Sequence, residues 1–409
     1  MKRKTMKTSM KKRLTPILLA FTTVASSLPG GVLAKEQPVK VGGDEGIMPL
    51  FAGYGEASQS YEPWIHGFRY VDLLHYNPET DPYAEEMRAT VPLQDRNGTY
   101  TATQANPWLG DQAQLYVMSA SNYRNTGAEI WNGNASYDDF TYAPFMYWQY
   151  ANITGTGGRP TAGMHRDIET GYGVEYGPVC IPMAAATNVA HRNGVMSLGE
   201  FFIDASWRGG QFIEEFIYKD EDGNYPYAQK MIEIMEYYGF DGYFINLEAS
   251  IDAGYVDTFR EILAWMRDQG AYIQWYDSTL DDGRTSYQNA FNDYNKNWVI
   301  NDKQGQVSDG IFLNYGYGNW SGDMTTDNVE LRKGVLKAAH EKAVELGLDP
   351  YEAVFMGVEG DLWRLSADFD SGDLLQWGGG NFNSGFPKAV DENGQPYTSF
   401  AVWASDFYQ

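Results

Sequence analysis

The sequence contains one cysteine, Cys180, in 409 residues, so no disulfide can form within the chain and the fold must depend on its hydrophobic core. Positive charge is also scarce, because 30 Lys and Arg residues face 54 Asp and Glu residues and leave a formal net charge of −24. Such an acidic surface repels phosphate backbones, which argues against nucleic acid as a partner. The five histidines are scattered without the spacing of a ligand set, so we predict no metal site and no cofactor.

Long apolar runs are missing outside the first residues, so no segment of the mature protein is predicted to span a membrane. Residues 1–15 carry seven Lys and Arg residues, and the apolar run 16–28 and the stretch Val32–Ala34 follow them. This order is typical of a secretory signal peptide, so residues 1–34 are predicted to be removed. The protein is therefore predicted to be secreted or extracellular, and to be attached to a cell surface if the chain belongs to a longer protein. Residues 35–61 are polar and Gly-rich and are predicted to form a linker or a loosely ordered segment.

From residue 62 onwards, strand-like apolar runs alternate with segments of helical periodicity. This alternation indicates parallel βαβ units, and eight such runs predict one α/β domain, a (β/α)8 TIM barrel over residues 62–409. The long stretch between the first two runs is rich in Asn, Gly, Thr and Tyr and is predicted to be an insertion. No Gly-rich phosphate loop follows the first run, which argues against a dinucleotide-binding sheet. The predicted strands are 68–74, 144–150, 195–203, 239–248, 271–276, 308–315, 353–358 and 399–403, and the predicted helices are 184–192, 227–238, 256–269 and 327–346.

The fourth predicted strand, 239–248, ends in two polar residues. Asn246 and Glu248 are two positions apart, so they project from the same face of the strand. An amide and a carboxyl group at the end of an apolar strand are costly to bury, which leaves either a satisfied polar pair or a functional site. In a barrel, functional residues gather at the carboxyl ends of the strands, and other unusual polar and aromatic residues of this chain fall there or nearby. They include Glu200, Tyr276, Asp277 and Tyr315.

A single carboxylic acid beside a neutral amide differs from the carboxylate pair of a typical retaining glycosidase. The combination suits substrate-assisted hydrolysis of a 2-acetamido sugar, in which the acetamido oxygen of the substrate attacks the anomeric carbon. Glu248 then serves as acid and later as base, while Asn246 orients the acetamide. Aromatic residues make up 15% of the chain, and Tyr and Trp offer faces that stack on sugar rings, although an aromatic-rich core explains many of them.

A series of motifs resembles glycoside hydrolase family 85, the endo-β-N-acetylglucosaminidases that act on N-glycans. The resemblance rests mainly on 190–195, leading into Leu198-Gly199, and on 240–248 and 275–278. It also includes Tyr147–Tyr150, Asp282-Gly283, Gln288-Asn289 and Asn381–Asn383 in the family's order. It implies a barrel that hydrolyses the GlcNAc-β-1,4-GlcNAc bond in the core of N-glycans, on glycoproteins or free oligosaccharides, through an oxazoline intermediate with retention.

The resemblance also implies roles for individual residues. Asn246 is the acetamide-orienting residue, Glu248 the acid/base, and Tyr276 the tyrosine that assists the acetamido group. Relatives often carry Trp where this chain has Tyr287. The β-sandwich domains that usually follow the barrel are missing, and the sequence leaves open whether the chain is a fragment of a longer protein. The remaining candidates for substrate binding are Trp148, Tyr287 and Tyr315 as sugar platforms, together with Trp275, Asp277 and Glu200.

Two alternatives remain open at this point. A barrel that binds glycans without cleaving them, as a lectin does, is disfavoured because both Asn246 and Glu248 are present. A chitinase-type glycosidase is disfavoured because the expected acidic run before the catalytic Glu is absent and Asn246 stands where a carboxylate belongs.

Overall fold

The structure of the protein is a computed structural model that describes thirteen segments of the chain. The predicted signal peptide 1–34, the predicted linker 35–61, Tyr315 and the motif Asn381–Asn383 lie outside these segments. The described residues are 73–74, 76–79, 84–85, 88–96, 112–119, 148–156, 163–167, 172–176, 179–182, 184–203, 209–314, 329–359 and 390–403.

Eight parallel strands form the centre of the fold: β1 (Leu115–Ser119), β2 (Ile153–Thr156), β3 (Met196–Ile203), β4 (Gly242–Leu247), β5 (Tyr272–Tyr276), β6 (Gly310–Leu313), β7 (Val354–Glu359) and β8 (Ser399–Trp403). Each strand pairs with its two neighbours, and β1 closes the ring by pairing with both β2 and β8. The closed parallel ring confirms the predicted (β/α)8 barrel.

The alternation of side chains along β4 shows where the two cores lie. Phe244 points into the barrel and joins an inner cluster with Tyr276 and Phe312, whereas Tyr243 and Ile245 join the outer core between strands and helices. All six residues of β4 are buried. The same alternation places Asn246, and Glu248 after it, on the inner face at the carboxyl end of the barrel.

Besides the helical pair Leu73-Leu74, the described residues form six α-helices: α1 (Ala184–Arg192), α2 (Gly209–Phe216), α3 (Pro226–Tyr238), α4 (Ala253–Asp268), α5 (Val329–Glu345) and α6 (Pro350–Ala353). The four predicted helices are confirmed to within three residues at each end. α3 ends at Gly239 in a left-handed conformation with φ of 72°. A Cβ atom there would lie 2.7 Å from the carbonyl oxygen of Ala89, so the turn into β4 requires glycine.

Short strands complete the described structure. Val179–Cys180 pairs antiparallel with β3 at Phe201 and Glu200, beyond the point where the pairing with β2 ends. Two antiparallel hairpins lie outside the barrel, one formed by Gly163–Asp167 with Tyr172–Tyr176 and one by Ile300–Asn301 with Gly305–Gln306. No helix among the described residues is long and apolar enough to cross a bilayer.

The first two barrel strands, β1 and β2, do not lie where they are predicted. Leu73 and Leu74, at the end of the predicted strand 68–74, are helical, and Trp148–Tyr150, at the end of the predicted strand 144–150, form a turn. The actual β1 lies inside the predicted insertion. The sequence of β2, Ile-Thr-Gly-Thr, contains only one large apolar residue. Close packing requires glycine at position 155, because a Cβ atom on Gly155 would lie 2.7 Å from the hydroxyl oxygen of Tyr116.

A stack of aromatic rings fixes the loop that follows β5 to the outer wall of the barrel. Trp275 of β5 and Trp298 of the loop are fully buried, with ring centroids 4.1 Å apart and planes inclined by 5°. The guanidinium of Arg260 on α4 lies 4.4 Å from the centre of the Trp298 ring and pairs with Asp281 in the same loop. The loop is therefore part of the packed core.

His191 joins three segments at the amino-terminal end of the barrel. Its Nδ1 lies 2.6 Å from the carbonyl oxygen of Val91, and its Nε2 lies 2.9 Å from a carboxylate oxygen of Asp241. Both ring nitrogens thus face acceptors, which only the imidazolium form can satisfy. Burial lowers the pKa of His191, but the hydrogen bonds and the charge of Asp241 outweigh it, so the pKa is raised above 6.5.

Candidate active site

The inner face of β4 carries the first two residues of the site. Asn246 is 7% exposed, and Glu248 is half-buried. The side-chain oxygen Oδ1 of Asn246 is buried and accepts no hydrogen bond within the part of the chain that the structure describes. A buried amide oxygen without a donor costs free energy, and a ligand that brings an N–H group would remove that cost.

The peptide group that joins Leu247 to Glu248 is held by hydrogen bonds on both of its sides. The hydroxyl groups of Ser278 and Thr279 both donate to the carbonyl oxygen of Leu247, at 2.5 and 2.9 Å. The N–H of Glu248 donates to the carbonyl oxygen of Ile203 at 2.7 Å. Glu248 therefore projects from a fixed main chain.

Tyr276, the last residue of β5, is the third member of the site. Its hydroxyl donates to Oδ1 of Asn314 at 2.8 Å, and Nδ2 of Asn314 donates to Oδ1 of Asn289 at 2.7 Å. Its ring packs against Phe244, the inward residue that precedes Asn246 on β4, with centroids 6.0 Å apart. The three residues predicted to be catalytic are thus brought to the same end of the barrel.

Asp277 organises the loop that follows β5. Its carboxylate accepts hydrogen bonds from Nδ2 of Asn295 at 2.9 Å and from the main-chain N–H groups of Gln288 and Asn289 at 3.2 and 2.6 Å. Burial raises the pKa of Asp277 to about 6, while these hydrogen bonds act in the opposite direction. The prediction that Asp277 binds substrate is corrected, because its oxygens are enclosed by the loop.

Tyr287 extends the aromatic wall of the site towards Glu248. Its ring lies 5.8 Å from that of Tyr276, at an angle of 58°. Burial, followed by the negative charge of the nearby Glu248 side chain, raises the pKa of Tyr287. The half-buried ring still has accessible surface on which a sugar could stack.

Three predicted substrate-binding residues lie elsewhere. Trp275 points outward into the core and stacks on Trp298, since it alternates with the inward Tyr276. Glu200 is fully buried inside the barrel, where it pairs with Phe244. Since Phe244 precedes Asn246 by two residues on β4, Glu200 lies deeper in the barrel than Asn246 does. Neither residue offers an accessible surface to a sugar.

Trp148 is the third of these residues. It packs against Val117, Ala190 and Val195, and it precedes β2 in the chain. These contacts place it towards the amino-terminal ends of the strands, away from Glu248, so its predicted role as a sugar platform is also corrected. Tyr315 lies outside the described residues, and its predicted role stays a prediction.

Asn289 and Asn295 belong to the site's supporting network, and neither appears among the predicted site residues. Asn289 adopts a left-handed main-chain conformation with φ of 54°, which is uncommon for a residue other than glycine. Asn289 could have been identified from the sequence, because it belongs to the Gln288-Asn289 motif. Nothing in the local sequence around Asn295 indicates a role in the site. No group of three or more His, Cys, Asp or Glu residues that could hold a metal ion occurs among the described residues.

Several known proteins that share one named activity are similar to this chain. The chain is 36% identical over 149 residues to a cytosolic endo-beta-N-acetylglucosaminidase of Danio rerio, which covers 35% of this chain and 19% of the relative. The protein of the same name from Mus musculus is 33% identical over 181 residues, covering 42% of this chain and 22% of the relative. The chain thus spans about a fifth of the length of these curated relatives.

One solved structure supports the fold. The glycoside hydrolase domain of Endo-D from Streptococcus pneumoniae R6 superimposes with a TM-score of 0.59 and 20% identity, covering 84% of this chain and 47% of that chain. At this identity the likeness bears on the barrel alone.

The names of the relatives also correct one prediction. The proteins from Danio rerio, Mus musculus and Homo sapiens are all named cytosolic. These names contradict the secreted or extracellular location predicted from residues 1–34, and that prediction is withdrawn.

The family model described as glycosyl hydrolase family 85 matches residues 123–408, which is more than half of the chain and includes seven of the eight barrel strands. Asn246, Glu248 and Tyr276 all fall within this match. By the extent of this match, the chain belongs to glycosyl hydrolase family 85.

Proposed function

We propose that the protein is an endo-β-N-acetylglucosaminidase that hydrolyses the GlcNAc-β-1,4-GlcNAc bond in the core of N-glycans. Family membership and the names of the relatives support this activity. The observation that carries it is the buried oxygen Oδ1 of Asn246, which accepts no hydrogen bond within the described structure, two residues before Glu248. A 2-acetamido sugar brings the missing donor, since its acetamide has one N–H group.

In the first step, Asn246 accepts a hydrogen bond from the acetamide N–H, which turns the acetamido oxygen towards the anomeric carbon. That oxygen forms a bond to the anomeric carbon while the bond from this carbon to the glycosidic oxygen breaks. Glu248 gives its proton to the departing oxygen and becomes a carboxylate. The products of the step are an oxazoline-type intermediate and a GlcNAc that remains on the glycoprotein.

In the second step, the Glu248 carboxylate takes a proton from water as the water oxygen bonds to the anomeric carbon. The bond between this carbon and the acetamido oxygen breaks, and the sugar leaves with its original anomeric configuration. Tyr276 assists from the wall of the site, where its hydroxyl is fixed by Asn314. Because Asn246 and Tyr276 are both almost fully buried, they stabilise the charge of the intermediate in a medium of low polarity.

Mass spectrometry of a glycoprotein after incubation tests the proposal directly. One GlcNAc left on each glycosylated Asn identifies the bond that is cut, and high-mannose, complex and trimmed glycans are compared as substrates. Glu248→Gln is the matched control, because it keeps the shape of the side chain and removes the acid. A protein that binds the glycan but releases no sugar from any substrate would instead be a lectin-like barrel, and cleavage of chitin oligomers alone would indicate a chitinase-type enzyme.

A further inference from the structure

Asn314 is a buried residue that comes directly after β6. Its side chain joins Tyr276, at the end of β5, to Asn289 in the loop that follows β5, through one hydrogen bond to each. Building on the function proposed above, we infer that Asn314 is a positioning residue that sets the direction of the Tyr276 hydroxyl proton. Tyr276 then meets the substrate as a hydrogen-bond acceptor.

The direction of these hydrogen bonds is fixed by a main-chain carbonyl oxygen, which can only accept. Nδ2 of Asn289 donates to the carbonyl oxygen of Tyr287 at 3.3 Å, so Oδ1 of Asn289 faces Asn314. Nδ2 of Asn314 donates to this Oδ1 at 2.7 Å, and Oδ1 of Asn314 accepts from the Tyr276 hydroxyl at 2.8 Å. Turning over either amide, or both, would set two acceptor oxygens against each other and leave buried oxygens without donors.

Both ends of this series of hydrogen bonds are held in place. The main-chain N–H of Asn289 donates to the carboxylate of Asp277 at 2.6 Å, and Asn289 itself is 2% exposed. The Tyr276 ring packs against Phe244 and Phe312, with centroids 6.0 and 5.6 Å apart. The hydroxyl is therefore oriented before the substrate binds, which reduces the reorganisation that the reaction requires.

The orientation determines what Tyr276 offers to the substrate. A hydroxyl group has one proton, and that of Tyr276 is donated to Asn314, so any hydrogen bond between its oxygen and the substrate is one that the oxygen accepts. Oδ1 of Asn246 is a second buried acceptor at the same end of the barrel. Acceptors suit the acetamide N–H group, because positive charge spreads onto this nitrogen as the oxazoline ring forms. A hydroxyl proton turned towards the nitrogen would oppose that charge.

A double-mutant cycle tests whether Asn314 acts through the Tyr276 hydroxyl. Asn314→Leu keeps a branched side chain and removes both polar atoms, whereas Tyr276→Phe removes the hydroxyl alone. The kcat on an N-glycan substrate and the thermal unfolding are measured for the wild type, the two single variants and the double variant. We expect Asn314→Leu to lower kcat about five- to tenfold in the wild type, as the loss of one hydrogen bond does. The same change should alter kcat less than about twofold in Tyr276→Phe, where no hydroxyl is left to orient.

Two more variants complete the cycle. Asn188→Leu is the matched control, since it makes the same change at a half-buried asparagine of α1 that accepts the main-chain N–H groups of Thr90 and Val91. It should leave kcat unchanged with and without Tyr276→Phe. Asn289→Gly removes the side chain that orients Asn314, and glycine readily adopts the φ of 54° found at this position. It should also lower kcat in the wild type and have little effect in Tyr276→Phe.

The inference is overturned if Asn314→Leu leaves kcat unchanged, or if it lowers kcat as much in Tyr276→Phe as in the wild type. In the second case Asn314 has a structural role that does not depend on the hydroxyl. Asn289→Gly decides between the same outcomes if thermal unfolding shows that Asn314→Leu is not folded. Failure of the proposed function gives a different result, since the wild type would then release no sugar from the glycan.

Discussion

Replacing Asn246 with alanine should separate the formation of the oxazoline from its opening. The asparagine is required when the acetamido oxygen must be turned towards the anomeric carbon. A synthetic sugar oxazoline already contains that bond. We therefore expect Asn246→Ala to lose hydrolysis of intact glycan and to keep transfer of the oxazoline onto a GlcNAc acceptor, whereas Glu248→Gln should do neither well.

The size of the effect follows from the burial of the amide oxygen. One preorganised hydrogen bond at a buried reacting group contributes about 10²–10³ to kcat, or about 2.7–4 kcal/mol. For Glu248→Gln, loss of general acid–base catalysis should cost about 10²–10⁴. Because Oδ1 of Asn246 has no hydrogen bond to lose within the described structure, the free energy of unfolding of Asn246→Ala should change by only about 1 kcal/mol.

The assay is a two-by-two comparison of the two variants on intact glycan and on synthetic oxazoline, followed by chromatography. Thermal unfolding of each variant controls for misfolding. If Asn246→Ala fails on the oxazoline as severely as Glu248→Gln does, Asn246 has no specialised role in orienting the acetamide. A structural role at the end of β4 would then explain its burial.

Three further predictions concern the whole molecule. The pKa of His191 in the folded state is raised above 6.5, so the stability that its charge contributes is fully present below pH 6.5 and is lost as the pH rises through the folded-state pKa. Thermal unfolding measured from pH 6 to 9 should show this decline in the wild type and not in His191→Gln. Trp298→Ala removes a fully buried ring from the stack on Trp275 and should reduce the free energy of unfolding by about 3–5 kcal/mol in urea, so a loss below about 1 kcal/mol would mean that the loop is not anchored by this ring. Treatment with EDTA should leave glycan hydrolysis unchanged, and a loss of activity that one divalent ion restores would show that hydrolysis depends on a bound metal ion.

The parts of the barrel with strong apolar periodicity could be predicted from the sequence. β8 begins and ends at the predicted residues, and β3 and β5 differ from their predicted bounds by one residue. β1 and β2 could not be predicted, because Ile153–Thr156 is nearly polar and becomes a strand only through pairing with β1 and β3. Tertiary contacts here override local preference.

The residues of the site also divide into those that the sequence pattern predicts and those that only the structure identifies. Asn246, Glu248 and Tyr276 stand at strand ends, where the sequence pattern places function, so they could be found without the structure. Trp275 could also have been excluded, because period-two alternation turns it away from the face that Tyr276 occupies. The hydrogen bond from Asn295 to Asp277 joins residues 18 apart through an irregular loop, and no sequence pattern reports such a contact.

The anchoring of the loop after β5 has a consequence for motion on the timescale of turnover. Opening the segment between Asp277 and Trp298 would expose the buried Trp298 ring and leave the Asp277 carboxylate without its donors, so its fluctuations should be nearly as rare as global unfolding. Amide hydrogens such as that of Asn289 should then exchange with solvent among the slowest in the protein. A wall of this kind cannot act as a lid, and the entry of glycan and the release of product must occur past a Tyr287 that stays in place.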